Sequence, residues 1–393
     1  MSARQAAPLR RGRGPDPWLL GSVLLLTALG LVMVYSASAV TAEARHGDQF
    51  WFLKRQLAAA GAGLLLLGLG LRLGARGAER IAYPLLGLTF LLMILTLVPG
   101  LGRAAGGARR WIDLGLFTFQ PAELAKVALV LYLARSLSRK QAMVRLFSVG
   151  FLPHALVAAA LGGLCLLQRD LGTGVVLALV LFAVLFAAGA KLAYLVGGAL
   201  LAAPVAWRAV AGTPYRLQRI QAFLDPFQHR EGAGFQLVES LYSIGSGGWL
   251  GQGLGQGKGK LFYLPAAHTD FIAAVIAEEA GLAGTLLLLL LFGVVAWRGF
   301  RAAFRAADAF SSYLALGMTV LLASQALIHV AVVFALVPTK GLTLPFVSAG
   351  GSSLVTLLFG AGLLLAVSGE RGGFLRRDAG AVRLGGAAAE GAR

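Results

Sequence analysis

Charged residues are scarce in this 393-residue sequence, at 13% of the chain, whereas soluble domains carry about one quarter. Hydrophobic residues make up 58% and the mean hydropathy is +0.77. Repeated apolar runs approach the roughly 20 residues that a helix needs to cross a bilayer. The composition therefore excludes an ordinary soluble enzyme and indicates a membrane protein.

Cysteine and acidic residues are also few. The single cysteine, Cys165, lies within an apolar run, which excludes an intramolecular disulfide. Asp and Glu number 17 against 35 Lys and Arg, giving a formal net charge of +18. The basic residues fall between apolar runs, as the positive-inside rule describes, so we expect a membrane protein with no nucleic-acid partner. The first apolar run is long enough to span, so we also expect no cleavable signal peptide.

The apolar runs predict ten transmembrane helices and hence an all-α polytopic membrane protein. Ten spans place both termini on one side, and the basic short segments 72–80, 135–145 and 298–305 make that side cytoplasmic. One long extracytoplasmic loop, 211–270, is expected between helices 7 and 8. The predicted spans are 18–40, 51–71, 81–99, 121–137, 146–167, 171–189, 192–210, 271–297, 311–336 and 347–368.

This pattern predicts a single membrane domain, 18–370. We expect a disordered basic cytoplasmic tail at 1–17 and a second cytoplasmic tail at 371–393. The glycine-rich tract 251–260 in the long loop does not match the phosphate-loop pattern, because Gln252 and Gly259 occupy two of its defining positions. Its glycines are expected to allow tight turns, and a lid over a substrate is the alternative.

Four polar motifs share the same predicted position, where a helix starts at the outer face and runs inward. They are QPAE at 120–123, RDLGT at 169–173, HTD at 268–270 and SAGGSS at 348–353. Pro121 suits the first helical position, and the serines are expected to act as caps. Helix N-termini bind anions, and Arg110, Lys126, Arg169 and Lys340 add positive charge nearby. We therefore predict an anion site, for a phosphate or pyrophosphate carried on a lipid.

For several of these charged residues a structural role is the alternative to ligand binding. Glu123 and Lys126 are three residues apart and either pair with each other or contact a ligand. Arg169 and Asp170 are interpreted first as an ion pair that fixes a turn. Glu278 and Glu279 are expected to have a hydrogen-bonded structural role. Asp270 has no local partner that would neutralise it, and is the candidate general base.

At these same residues the chain resembles the SEDS family (shape, elongation, division and sporulation). Ala266 and Ala349 depart from the usual pattern, but neither affects Asp270. The stretches 255–265 and 340–346 look more like the cell-division branch than the elongation branch. The matching motifs are GARRWI at 107–112, FQPAELAK at 119–126, QRDLGT at 168–173, IGSGG at 244–248, YLP at 263–265, HTDF at 268–271, EE at 278–279 and GGSS at 350–353.

The resemblance implies a peptidoglycan glycosyltransferase that polymerises lipid II outside the bacterial inner membrane, at the division septum. It implies a class B penicillin-binding protein and other division proteins as partners, and Asp270 as the base. A lipid II flippase, a structural division scaffold and the elongation polymerase are the alternatives. Mg²⁺ is considered only as a companion of the pyrophosphate, since no carboxylate cluster requires it. The predicted substrate-binding residues are Arg109, Arg110, Glu123, Lys126, Arg169, Asp170, His268, Thr269, Lys340, Ser352 and Ser353.

Overall fold

The computed structural model describes residues 14–105, 108–113, 115, 117–232, 234–257 and 266–369. The predicted C-terminal tail, and residues 1–13 of the N-terminal tail, lie outside these ranges. The described helices are α1 (Pro17–His46), α2 (Trp51–Leu95), α3 (Pro121–Arg139), α4 (Leu152–Leu167), α5 (Leu171–Ala187), α6 (Leu192–Ala211), α7 (Pro214–Leu224), α8 (Phe235–Gly247), α9 (Ile272–Arg305), α10 (Ala309–Val333) and α11 (Gly351–Ser368).

In the part of the chain that the structure describes, six apolar segments are long enough to cross a membrane, as expected for a mainly helical polytopic membrane protein. They are α1, α2, α4 together with the short π-helix Phe147–Phe151 that precedes it, α9, α10 and α11. Shorter apolar helices occur at Leu171–Ala187 and Leu192–Arg208. Helices α3, α10 and α11 are buried along most of their length and form the core, whereas α6 is largely exposed. The burial pattern thus places the polar starts of α3 and α11 at the centre of the bundle.

The second and third predicted spans, 51–71 and 81–99, form the single element α2 with a break at Gly74. Gly74 has φ +60° and ψ −174°, a left-handed conformation that side chains rarely tolerate. Further along, Pro84 lacks the N–H that would bond to the carbonyl of Arg80. Nη1 of Arg135 on α3 donates to the carbonyls of Glu79 at 2.6 Å and Arg80 at 3.2 Å. This contact satisfies backbone that the proline leaves unpaired.

The prediction that the third span runs to residue 99 is wrong, because α2 ends at Leu95 and a small sheet follows. Its strands are β1 (Gly102–Ala105), β2 (Ala108–Asp113) and β3 (Thr118–Phe119), paired antiparallel in that order. The last helix also begins at Gly351, four residues after the predicted start. Segments 99–119 and 347–350 are therefore available to shape the polar end of the bundle.

The long loop 211–270 contains the helices α7 and α8, which periodicity did not predict. After α8 the glycine tract lies against a break in α9 at Gly281, where φ is +65°. Leu282 N donates to the carbonyl of Gly248 at 2.9 Å, and Gln252 N donates to the carbonyl of Glu278 at 3.0 Å. Irregular backbone at membrane depth requires such partners.

The predicted tight turns are confirmed at three glycines of this tract. Gly251, Gly253 and Gly255 all have positive φ. A Cβ on Gly251 would lie only 2.1 Å from the carbonyl oxygen of Glu279. The described part of the tract, 251–257, thus packs closely on α9, and 258–260 lie outside the described residues.

Candidate functional site

A cavity of about 1020 Å³ opens at the end of the bundle where α3, α5, α9 and α11 begin. Its walls come from β2, the turn between α4 and α5, α7, the turn that precedes α9 and the segment between α10 and α11. Five cationic residues and two carboxylates line it. The lining residues are Ala108, Arg110, Leu166, Leu167, Arg169, Asp170, Leu171, Gly172, Thr213, Arg216, Arg219, Ile220, Asp270, Pro338, Thr339, Lys340 and Gly341.

Asp270 lies in a tight turn one residue before the N-cap of α9. Its backbone N–H donates to the carbonyl of Ala266 at 3.1 Å, and the buried Phe271 anchors the turn below it. In the described part of the chain, no hydrogen bond reaches the Asp270 carboxylate. A Cβ built on Gly341 would lie 3.2 Å from its Oδ2, so the carboxylate rests against the backbone of the α10–α11 segment.

The environment of Asp270 favours its neutral form more than water does. Burial raises the pKa of Asp270 to about 6, while the positive charges of Arg219 and Arg110 oppose the rise and the negative charge of Asp170 adds to it. A pKa near 6 leaves the carboxylate mostly ionised at neutral pH yet basic enough to accept a proton. Asp270 therefore lines the cavity with a raised basicity, and its role as general base stays a prediction.

The cations of the cavity are held close to one another. Arg110 donates from Nε to the carbonyl of Gln168 at 2.9 Å and from Nη2 to that of Arg169 at 2.5 Å. Burial lowers the pKa of Arg216, and the nearby charges of Arg110 and Arg169 lower it further. Burial also lowers the pKa of Lys340. Mutual repulsion of this kind is relieved by an anionic ligand.

Two of the four predicted helix starts, those of α5 and α9, contribute residues to the lining of the cavity, and the starts of α3 and α11 are hydrogen-bonded to them. Gln120 before α3 donates from its backbone to Ser352 Oγ at 3.0 Å, and from Nε2 to Asp170 Oδ2 at 3.3 Å. Ala349 N donates to the carbonyl of His268 at 2.9 Å. Pro121 is in the first turn of α3, as predicted. The meeting of these starts places several helix dipoles at one end of the bundle.

Two of the predicted local roles need correction. Asp170 caps α5, accepting from Thr173 N at 3.1 Å and Thr173 Oγ1 at 2.8 Å, so the turn is fixed by a cap and Arg169 is exposed beside it. The serines do not cap α11, whose N-cap is Gly350 with no side-chain bond. Ser352 and Ser353 instead bond to the carbonyl of Thr118 and to Thr343 Oγ1.

Glu123 and Lys126 lie in the core and not among the cavity residues. Lys126 Nζ is 2.7 Å from Glu123 Oε2, and both side chains are almost fully buried. Lys126 also donates to Gln325 Oε1 at 2.8 Å, and Gln325 Nε2 donates to the carbonyl of Thr343 at 2.8 Å. Of the two alternatives, the structure therefore shows the one in which Glu123 and Lys126 pair with each other. Hydrogen bonds through Gln325 link this pair to the segment between α10 and α11.

The other predicted binding residues are not among those that line the cavity. His268 packs on Phe52 with ring centroids 4.6 Å apart, and burial, with a smaller contribution from Arg45, lowers the pKa of His268 to about 4. Thr269 donates from Oγ1 to the carbonyl of Ala266. Arg109 is exposed on β2. Contact of these residues with a substrate stays a prediction, as it does for Ser352 and Ser353.

Sequence reasoning missed two arginines of the cavity, Arg216 and Arg219 on α7. They are three residues apart, so they share one face of this short helix. Arg219 Nη1 donates to the carbonyl of Thr339 at 3.3 Å, which joins α7 to the α10–α11 segment. The sequence feature that would have revealed them is the R-x-x-R spacing after Pro214, because Pro214 starts a helix inside the predicted loop.

Among the described residues, no group of three or more His, Cys, Asp or Glu side chains could hold a metal ion. Asp170, one of the two carboxylates in the cavity, already accepts hydrogen bonds from Thr173 and Gln120. This donor set does not fit a resident metal, and Mg²⁺ as a companion of pyrophosphate stays a prediction.

The chain matches known proteins over almost its whole length. A family described as "Cell cycle protein", of FtsW, RodA and SpoVE, matches residues 17–372. The probable peptidoglycan glycosyltransferase FtsW of Trichlorobacter lovleyi is 47% identical over 90% of this chain and 93% of its own length. Stage V sporulation protein E of Bacillus subtilis is 42% identical over 90% of this chain and 97% of its own.

Two solved structures share the fold. One is a chain of a peptidoglycan synthase complex that coordinates polymerization and crosslinking, with a TM-score of 0.74 and 35% identity over 90% of this chain and 97% of that chain. The other is the rod shape determining protein RodA of Thermus thermophilus, with a TM-score of 0.66 and 34% identity over 90% and 96%. The matched range, 17–372, includes every residue that lines the cavity, and on sequence and fold the chain belongs to the SEDS family of FtsW, RodA and SpoVE.

Proposed function

We propose that this peptidoglycan glycosyltransferase polymerises lipid II at the outer face of the cytoplasmic membrane, with Asp270 as general base. The observation that carries the proposal is the placement of Asp270 in one cavity with Arg110, Arg169, Arg216, Arg219 and Lys340. Glycosyl transfer from a pyrophosphate donor requires a base for the acceptor hydroxyl and positive charge for the leaving pyrophosphate, and this cavity contains both kinds of group.

The reaction divides between these two parts of the cavity. Asp270 accepts the proton of the acceptor sugar hydroxyl as its oxygen attacks the anomeric carbon of the donor. The bond from that carbon to the undecaprenyl pyrophosphate oxygen breaks, and the negative charge develops on the leaving pyrophosphate. The arginines and Lys340 stabilise that charge because they are already oriented toward the cavity.

The helices support the ten-span topology when α2 is counted as two spans across its break at Gly74. The other eight spans are α1, α3, α4, α5, α6, α9, α10 and α11. Basic segments then lie at the end opposite the cavity, and this supports a cytoplasmic location for that end and for both termini.

A role in division follows from the relatives and the local sequence. FtsW proteins are 44–47% identical to this chain, and the stretch 340–346 is of the division type. The synthase complex couples polymerization to crosslinking. A class B penicillin-binding transpeptidase at the septum is therefore the proposed partner, together with other division proteins.

The test is polymerisation of labelled lipid II by the purified protein with its transpeptidase partner, read as glycan chain length on a gel. Asp270→Asn is expected to lower the rate by about 10²- to 10⁴-fold, the usual range for a general base. Asp113→Asn, which removes an exposed carboxylate paired with Arg103, is the matched control and should retain the rate. Equal polymer from wild type and Asp270→Asn would remove Asp270 as the base.

A further inference from the structure

Gln56 is a buried polar residue on α2 that does not line the cavity. Only 4% of it is exposed, and its side chain reaches the segment that precedes α11. Nε2 donates to the carbonyl of Ser348 at 3.1 Å, and Oε1 accepts from Gly350 N at 3.4 Å. One amide thus holds a donor and an acceptor of the same backbone, which would otherwise be unpaired in a dry environment.

The backbone that Gln56 holds is bonded in turn to the residues just before Asp270. Ser348 Oγ donates to the carbonyl of Thr269 at 2.7 Å, and Ala349 N donates to the carbonyl of His268 at 2.9 Å. Ser348 Oγ also accepts from Leu344 N at 2.8 Å, which fixes its own orientation. A continuous path of hydrogen bonds therefore runs from α2 to the two residues that precede Asp270.

We propose that Gln56 and Ser348 are positioning residues that set the orientation of Asp270 through this hydrogen-bond path. The path is called the backbone clamp and consists of Gln56, Ser348 and Ala349 with the carbonyls of His268 and Thr269. Because no hydrogen bond within the described chain holds the Asp270 carboxylate itself, its direction depends on the backbone that carries it. The proposal rests on Asp270 being the base.

Kinetic measurements distinguish a positioning role of these residues from a general role in stability. Gln56→Leu keeps the side-chain size and removes both bonds, and Ser348→Ala removes the contact with Thr269. Each is expected to lower kcat for lipid II polymerisation about 10- to 100-fold with KM changed less than about threefold, because misplacing a reacting group by about 1 Å has effects of this size. Thr27→Val, which removes a buried hydroxyl bonded only within α1, is the matched control.

A double-variant experiment asks whether the clamp acts through Asp270. In an Asp270→Asn background, Gln56→Leu is expected to cause less than a twofold further loss, because the group it positions is already gone. A full loss repeated in that background would overturn the proposal, since the residue would then act on the protein in general.

A labelling experiment tests the clamp without relying on activity. Thr269→Cys is introduced into Cys165→Ala, which removes the sole native cysteine. Gln56→Leu or Ser348→Ala should then raise the rate of modification by a soluble maleimide about tenfold, as the loop opens more often. An unchanged rate in both would overturn the clamp. If the Asp270→Asn protein were still active, Asp270 would not be the base, and the catalytic part of this proposal would fail for that separate reason.

Discussion

The cavity around Asp270 and the buried pair of Glu123 and Lys126 are both clusters of charge, but they are compensated differently. In the core, Lys126 Nζ meets Glu123 at 2.7 Å and Gln325 at 2.8 Å, so opposite charges are matched within the protein. In the cavity, five cations face two carboxylates, and one of these caps a helix. Protein groups complete the first cluster, whereas an anion from outside would complete the second.

The difference separates structural from functional charge in one helical bundle. Burying two charges is unfavourable unless each is paired and hydrogen-bonded. In the core the two charges pair with each other and Lys126 is also hydrogen-bonded to Gln325, so most of that cost is met within the protein. The cavity keeps like charges close together, an arrangement that is unfavourable until a ligand enters. We therefore expect mutations in the core pair to act on stability and mutations in the cavity to act on substrate use.

The largest effect is expected from breaking the core pair. Lys126→Ala leaves Glu123 buried without its cation and should lower the free energy of unfolding by about 3–5 kcal/mol. Replacing both residues, Glu123→Leu with Lys126→Met, should restore most of that loss. Denaturation of the detergent-solubilised protein measures both, and Lys54→Ala, which breaks an exposed pair with Asp48, is the control. Equal stability of Lys126→Ala and wild type would contradict the comparison.

Cavity arginines should affect substrate use without unfolding the protein. Arg216→Ala or Arg219→Ala is expected to raise KM for lipid II about tenfold, because each removes one charge-assisted contact with the pyrophosphate. Melting temperature should stay close to that of wild type. Arg103→Ala, at an exposed arginine on β1, should leave KM unchanged. If both α7 variants kept the wild-type KM, α7 would not belong to the anion site.

The pH dependence of polymerisation should report the ionisation of Asp270. Since the pKa of Asp270 is about 6, kcat/KM is expected to fall about tenfold per pH unit well below pH 6. Arg219 lowers that pKa, so Arg219→Ala should move the acid limb to higher pH. A rate profile measured from pH 4.5 to 8 tests this, and an unmoved limb would contradict the placement of Arg219 beside the carboxylate.

The candidate base, Asp270, should reduce stability, in contrast to the core pair. The pKa of Asp270 is raised from 3.8 to about 6 in the folded protein. The folded state therefore binds more protons than the unfolded state between these values, and stability falls as pH rises from about 4 to 6. Asp270→Asn should melt a few degrees above wild type at pH 8 and no higher near pH 4. Thermal unfolding of both at the two pH values distinguishes these cases.

The smallest effect is expected from Gly341→Ala. The added Cβ would lie 3.2 Å from Asp270 Oδ2, so the carboxylate must shift by a few tenths of an ångström. A kcat lowered about two- to fivefold is expected, in proportion to the larger loss at about 1 Å. Gly293→Ala on α9, where a Cβ would meet open space, is the control. Matching kcat values for the two variants would show that Asp270 does not depend on this contact.

Local pattern was sufficient for the class of protein and for the residues with chemistry. Apolar runs of membrane-spanning length predicted a polytopic helical protein, and the motifs predicted the family. The position of Asp270 beside an apolar helix predicted a carboxyl group with a raised pKa, because apolar surroundings disfavour the charged form.

The tertiary structure decided which charges face one another. Glu123 and Lys126 are three residues apart on α3, but only helix packing buries them and brings Gln325 of α10 to Lys126 from 199 residues away. Arg216 and Arg219 likewise reach the cavity because α7 lies against it. Gln56 reaches the α10–α11 segment from 292 residues away in the same manner. Contacts at such separations depend on how helices pack, which periodicity along one helix does not encode. The amino-acid sequence by itself therefore determined the membrane class, the family and the candidate base, and only the packing of helices decided which cations and which backbone lie beside that candidate.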